Sequence, residues 1–315
     1  MRNAVKGAVV FTTEEVWSRY GYRLPLSQPQ VCYVHSTDLA YLEDTFGRVK
    51  AEVIYGMGGG QAVDVAKWVG ERCGARVVAV PTILSVDAPL VRSTAVRVDS
   101  RVTYLPTRAP DELVIFEDII LEAPPAYNAA GWGDVLSIYT AVWDWRLGHQ
   151  RTGEPFDEQV AAAALALLET AVPPTTPAGL QALLAALKRE VELCERVGNA
   201  RPEEGSEHLF AYVIESRLPP GRKILHGELT GLGLVVMSGH QGQDPAYITR
   251  LLDRVGLRWR PEQLGIPPEV IAGVERDLPA QAELYQFPYS IANEMAGRQA
   301  GTATSPPPPT GTPPG

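Results

Sequence analysis

Val53-Ile54-Tyr55-Gly56-Met57-Gly58-Gly59-Gly60-Gln61-Ala62-Val63-Asp64-Val65-Ala66-Lys67 decides how this 315-residue chain is built. An apolar strand-like run passes through three consecutive glycines into a helical stretch that starts near Gln61 and carries Asp64 and Lys67. Three residues without Cβ let backbone N–H groups approach an anion closely, and the following helix turns its positive end to the same spot. The turn reads as a cradle for a pyrophosphate, although a tight strand-to-helix connection uses the same residues for steric reasons alone.

Around this turn, Val31–Val34, Glu52–Tyr55, Val77–Val80 and Glu112–Phe116 read as buried strands separated by helical stretches, a pattern that predicts a parallel sheet with crossover helices. Thr94 to Leu105 reads as a hairpin turning at Asp99-Ser100. After Pro124-Pro125 the periodicity becomes helical, through 156–170, 180–197, 203–217 and 223–238. The expected organisation is an α/β domain over residues 1–122, an all-helical domain over 123–298, and a disordered tail over 299–315, whose last fourteen residues, 302–315, are Pro, Gly, Thr, Ser and one Ala.

With 45% hydrophobic residues the chain can bury a sizeable core. Its net charge of −9, from 28 Lys and Arg against 37 Asp and Glu, argues against a nucleic-acid partner or an anionic membrane surface. Cys32, Cys73 and Cys194 are far apart and odd in number, as expected of reduced thiols in a cytoplasmic protein. The longest alanine- and leucine-rich run, Val160 to Leu168, is too short to span a bilayer.

Three further segments carry chemistry. Pro81-Thr82-Ile83-Leu84-Ser85-Val86-Asp87-Ala88-Pro89 directly follows a strand, so its hydroxyls and carboxylate fall at the C-terminal edge of the sheet, where such folds bind ligands. Gly131-Trp132-Gly133-Asp134 opens the first helix of the second half, and Ser206-Glu207-His208 and Leu225-His226-Gly227-Glu228 lie on later helices. One aspartate and two histidines can hold a divalent metal and leave positions open for substrate. Taken singly, Asp134 also suits a helix N-terminus, the histidines a core, Asp87 a turn cap and Lys67 a solvated helix face.

Together these segments resemble the dehydroquinate synthase-like superfamily, which includes glycerol dehydrogenase, iron-containing alcohol dehydrogenases and sn-glycerol-1-phosphate dehydrogenase. The resemblance runs from about Val53 to Ser238 and is nearest the glycerol-1-phosphate branch through Ala130-Gly131-Trp132-Gly133-Asp134, Asp144-Trp145, Gly205-Ser206-Glu207-His208 and Leu225-His226-Gly227-Glu228. It implies a Rossmann-like domain followed by a helical one. It also implies an NAD or NADP site at Gly58, Gly59, Gly60, Asp64, Lys67, Thr82 and Ser85, and a metal site at Asp134, His208 and His226 holding Zn²⁺, or else Fe²⁺ or Ni²⁺. Asp87 becomes the catalytic or substrate-binding carboxylate. The implied activity is a homo-oligomeric, metal-dependent NAD(P) alcohol dehydrogenase acting on a small polyol or polyol phosphate. A dehydroquinate synthase-like sugar-phosphate cyclase and a homologue without cofactor binding are the alternatives. Arg92, Arg201, Arg222 and Lys223 are the basic candidates for a substrate phosphate.

The sequence departs from this pattern in two places. Only 57 residues precede Gly58, which predicts that the first strand-helix unit on the adenosine side is missing, with Asp38 belonging to the second. Tyr212 stands where the glycerol-phosphate branch carries a second histidine.

Overall fold

The computed structural model describes residues 7–219 and 221–299. Its first part contains β1 (Ala8–Thr12), α1 (Glu14–Tyr20), β2 (Gln30–Tyr33), α2 (Leu39–Phe46), β3 (Val53–Gly58), α3 (Gly60–Cys73), β4 (Arg76–Pro81), β5 (Ser93–Val98), β6 (Arg101–Pro106), β7 (Glu112–Leu113) and α4 (Glu117–Glu122). Beyond Pro124 all regular structure among the described residues is helical: α5 (Pro125–Ala129), α6 (Gly131–Thr152), α7 (Glu158–Leu165), α8 (Pro177–Val197), α9 (Ser206–Ser216), α10 (His226–Gln241), α11 (Pro245–Val255), α12 (Pro261–Leu264), α13 (Pro268–Leu284) and α14 (Ile291–Gln299). The proline-rich tail expected over 299–315 lies, after Gln299, outside the described residues.

Five of the strands form a parallel sheet in the order β2-β1-β3-β4-β7, and β5 and β6 pair separately. The short lead to the glycines therefore holds two complete strand-helix units, β1-α1 and β2-α2, and the expected loss of the first unit is corrected. Ala8-Val9-Val10-Phe11 is buried on both faces of the sheet, so it shows no alternation, and a short unpatterned run is easily passed over in sequence. The chain leaves β1 on one side for β2 and returns on the other for β3. This reversal opens a crevice at the carboxyl ends of β1 and β3.

The β3–β4 register runs from Val53↔Arg76 to Gly58↔Pro81, so the glycine turn and the 82–89 loop leave the sheet side by side. The strand expected over Glu112–Phe116 pairs only at Glu112 and Leu113 before the chain turns toward α4. The expected hairpin is present as β5 and β6, with Asp99 and Ser100 both at positive φ, as a two-residue turn matched to strand twist requires.

In the helical part, α6 is the central element. It buries Trp132, Val135, Leu136, Ile138 and Trp145 against residues of α7, α8, α10 and α11. The helix expected over 156–170 is α7 followed by a 3-10 turn to Thr170, and the one expected over 203–217 starts only at Ser206. Asp157, Thr176 and Asp244 cap the starts of α7, α8 and α11 by accepting first-turn N–H groups.

Candidate active site

The glycine turn is shaped by close approach. Gly58 has φ +152, a conformation that side chains disfavour. A Cβ on Gly59 would meet Ile83, and one on Gly60 would meet Val86, so two of the three glycines are packed directly under the 82–89 loop. Gly59 precedes the first turn of α3, whose free N–H groups and positive dipole end point into the crevice. Thr82 joins the same arrangement by donating its backbone N–H to the Gly58 carbonyl at 3.0 Å, and Thr82 and Ser85 are both buried.

Asp64 and Lys67, read from sequence as cofactor contacts, sit beneath the loop. Lys67 is 1% exposed; its ammonium lies 3.1 Å from Asp64 and donates to the carbonyls of Ala88, at 2.8 Å, and Ser93. Three acceptors hold this cation in place. The pair therefore fastens α3 to the loop that carries Asp87 instead of presenting charge to a cofactor.

The helical part reaches the same loop through its own small residues. A Cβ on Gly131 would fall 2.1 Å from the Leu84 carbonyl oxygen, and Leu84 donates its N–H to Asn128 at 3.0 Å. The start of α6 is thus pressed against the loop, which brings Asp134 within electrostatic reach of Asp87. Glycines also allow α6, α9 and α10 to converge. Gly133 abuts Gly227, Gly205 abuts Ala141, and Gly233 abuts the backbone of Glu207.

These crossings bring Asp134, His208 and His226 together, with one ligand atom from each inside a set whose members all lie within 4.8 Å of one another. His226 Nε2 is 3.8 Å from Asp134 Oδ1, and the two imidazole centroids are 5.1 Å apart. Asp134 Oδ1 is buried with no hydrogen-bond partner. An orphaned carboxylate oxygen beside two imidazoles is the donor set a divalent cation satisfies.

Buried carboxylates dominate the electrostatics of the cluster. Burial first, then repulsion from Asp87, pushes the Asp134 carboxyl up to about 8. Burial also raises Asp87 to about 6, with Lys67 opposing. For His208, burial disfavours the charged ring, yet the Glu207 carboxylate outweighs it and lifts the imidazole to about 9. His226 is driven well below the usual histidine range by burial and by His208.

Several participants had no assigned role in the sequence reading. Glu207 is fully buried and accepts from His208 Nδ1 at 2.8 Å, Thr140 Oγ1 at 2.6 Å and the Gly205 N–H at 2.7 Å, which fixes the ring so that Nε2 is left for a cation. Asp144 receives the N–H groups of Ser206 and Ile291, at 2.7 and 2.8 Å, and so anchors the starts of α9 and α14. Both belong to motifs quoted above, so the segments were visible while the partners were not. Tyr212 stacks on His226 at 5.7 Å and 16°, donates to Glu204 at 2.5 Å and meets Tyr104 at 3.0 Å. The basic candidates face different groups, and only Lys223 reaches the residue that follows the glycine turn. Arg92 pairs with Glu195, Arg201 with Glu154, Arg222 with the carbonyls of Leu264 and Gly265, and Lys223 reaches Gln61 at 3.5 Å.

Known proteins share this organisation. A family model described as iron-containing alcohol dehydrogenase matches residues 3–124. The chain is similar to the glycerol-1-phosphate dehydrogenase [NAD(P)+] of Aeropyrum pernix, 36% identical over 70% of this chain and 64% of that protein, so the match spans just under two thirds of that relative. The enzyme of the same name from Hyperthermus butylicus is 32% identical over 83% of this chain and 78% of its own length. Among solved structures, the glycerol dehydrogenase of Schizosaccharomyces pombe superposes with a TM-score of 0.65 at 19% identity, covering 96% of this chain and 88% of that one.

Proposed function

Because the chain belongs to the glycerol-1-phosphate dehydrogenase family of the iron-containing alcohol dehydrogenases, we infer that it is an NAD(P)- and divalent-metal-dependent dehydrogenase of a small polyol or polyol phosphate. The observation that carries this reading is the meeting of Asp134, His208 and His226 within 4.8 Å, across the 82–89 loop from the glycine turn. Asp134, His208 and His226 would hold the cation, with Zn²⁺ favoured by a carboxylate and two imidazoles. Gly58, Gly59 and Gly60 would receive the cofactor pyrophosphate. When bound, the cation supplies Lewis-acid polarisation of an alcohol or carbonyl oxygen, and the nicotinamide accepts or returns a hydride.

The chain's own groups do the rest. Glu207 holds the His208 ring so that Nε2 faces Asp134 and His226. Lys67 and Asp64 hold the loop so that Asp87 stays at the crevice. Burial raises the Asp87 carboxyl above the ordinary aspartate range, which favours its taking a proton from a substrate hydroxyl and returning it. Thr82 and Ser85 line the loop between the glycine turn and Asp87, where they would orient the nicotinamide end of the cofactor. We propose a cytoplasmic, homo-oligomeric enzyme, as the family resemblance implies; separately, no described helix is long and apolar enough to cross a membrane.

The test is reduction of NAD⁺ or NADP⁺ by polyols and their phosphates with protein reconstituted with Zn²⁺, Fe²⁺ or Ni²⁺. Metal- and substrate-dependent NAD(P)H formation is expected. Metal-replete, folded protein that forms none with any of these alcohols would refute the reading.

A further inference from the structure

His208 and His226 are held in different ways. Glu207 fixes the His208 ring through Nδ1 at 2.8 Å. His226 is the first residue of α10, so no preceding helical turn restricts its side chain. Among the described residues its ring nitrogens make one hydrogen-bond contact, a long one of 3.4 Å between Nε2 and Thr230 Oγ1. That same Nε2 lies 3.8 Å from Asp134 Oδ1 and is the nitrogen a cation would take, so the Thr230 contact cannot orient the ring once that nitrogen is occupied.

The side chain that lies against His226 is Tyr212, its ring 5.7 Å away and inclined by 16°. Tyr212 follows His208 by four residues on α9, a spacing that sets both on one helix face, and its ring is 6.0 Å from that of His208. Tyr212 is itself tied down. It is 3% exposed, its hydroxyl donates to Glu204 at 2.5 Å and meets the Tyr104 hydroxyl at 3.0 Å, and its ring stacks in turn with Tyr285 at 6.1 Å and 23°.

Resting on the dehydrogenase reading above, we propose that Tyr212 is the positioning residue for His226: its ring face sets the plane in which the imidazole presents Nε2 to the cation, as the Glu207 carboxylate does for His208.

The argument is one of rotational freedom. The χ2 torsion of histidine is broad, so an imidazole without a partner on its second nitrogen keeps a freedom that it loses on coordination. A nearly parallel aromatic neighbour removes that freedom beforehand, because turning the imidazole out of its plane drives the ring edge into the neighbour. Tyr212 does this without acting as a ligand, since its hydroxyl is committed to Glu204 and Tyr104 and only the ring is left for His226. An aliphatic side chain would fill the space and present no flat face.

The experiment compares full-length wild type with Tyr212→Phe, Tyr212→Leu and Tyr212→Met. Competition with a chelating dye reads the Zn²⁺ Kd. The visible spectrum of Co²⁺-loaded protein reads ligand geometry, to which d¹⁰ Zn²⁺ is silent. Tyr212→Leu and Tyr212→Met should weaken Zn²⁺ binding by about tenfold or more and alter the Co²⁺ bands, whereas Tyr212→Phe, which keeps the ring, should return both toward wild type. If Tyr212→Leu does not fold by circular dichroism, Tyr212→Met carries the comparison, because an unbranched thioether adapts to irregular core space. Wild-type Zn²⁺ affinity in a folded Leu or Met variant, or weaker affinity with unchanged Co²⁺ bands, overturns the proposal and leaves the dehydrogenase reading standing. A loss in Tyr212→Phe equal to that in Tyr212→Leu also overturns it, because the hydroxyl and not the ring face would then orient His226. Wild type that binds neither ion refutes the metal reading and the proposal together.

Discussion

Gly133 on α6 and Gly227 on α10 touch backbone to backbone: a Cβ on Gly133 would lie 2.3 Å from the Gly227 carbonyl oxygen. Each glycine neighbours a proposed metal ligand, Asp134 and His226 respectively, so this crossing sets the distance between them. The obstruction is main chain, which has no rotamer to yield. Gly133→Ala is expected to force the helices apart, destabilise the protein by about 3 kcal/mol and lower metal content. Thermal denaturation and elemental analysis check this, and a variant with wild-type Tm and full metal would contradict it.

Glu207 orients His208 from a fully buried position through three hydrogen bonds. Glu207→Gln keeps the shape but removes the charge, so metal affinity should fall by about 10- to 100-fold. Competition with a chelating dye measures it. Unchanged affinity would show that the His208 ring is held by packing alone.

At the cofactor end, Gly59→Val adds a branched side chain whose Cβ would lie only 2.9 Å from Ile83. Crowding here should block the backbone approach of the pyrophosphate. NADH Kd is expected to rise by about tenfold or more, equivalent to about 1.4 kcal/mol, in a fluorescence titration. Equal Kd values for the two proteins would remove the glycine turn from the cofactor site.

Asp87 separates a chemical role from a turn-capping one. Its backbone carbonyl accepts the Leu90 N–H at 2.7 Å, a bond that survives substitution of the side chain. Asp87→Asn should therefore leave folding, metal content and NADH affinity near wild type while lowering turnover by about 10²-fold or more, as loss of a proton-transfer group does. Unchanged kinetics would assign the side chain to the turn.

Glu190 on α8 is 1% exposed, and neither of its carboxyl oxygens has a hydrogen-bond partner. Burial, then repulsion from Glu203, raises its pKa well above the ordinary value of 4.5. A carboxyl raised in the folded state contributes stability that is full below its ordinary pKa and is lost as pH climbs through the folded-state value. Tm should therefore decline from about pH 5 upward, and Glu190→Gln should flatten that decline. Parallel Tm–pH curves for the two proteins would show that Glu190 does not titrate differently on unfolding.

The sequence by itself determined the parts that are local. The apolar run Val53-Ile54-Tyr55-Gly56-Met57 leading into Gly58-Gly59-Gly60 favours strand, turn and helix here, because glycine's conformational freedom and the helix dipole act within a few residues. Asp99-Ser100 likewise marked its hairpin. The resemblance carried by the Asp134, His208 and His226 segments named the three residues that the structure brings within 4.8 Å. Only the tertiary structure decided what each group faces. It supplied β1, whose burial on both faces erased any alternation. It turned Lys67 inward onto Asp64 and two carbonyls, gave Glu207 and Asp144 their partners, and set Tyr212 between His226 and Glu204. Hydrogen-bond partners and electrostatic neighbours depend on distances between helices more than sixty residues apart in the chain, such as α6 and α9, and those distances follow from how closely Gly133, Gly205, Gly227 and Gly233 let the backbones approach.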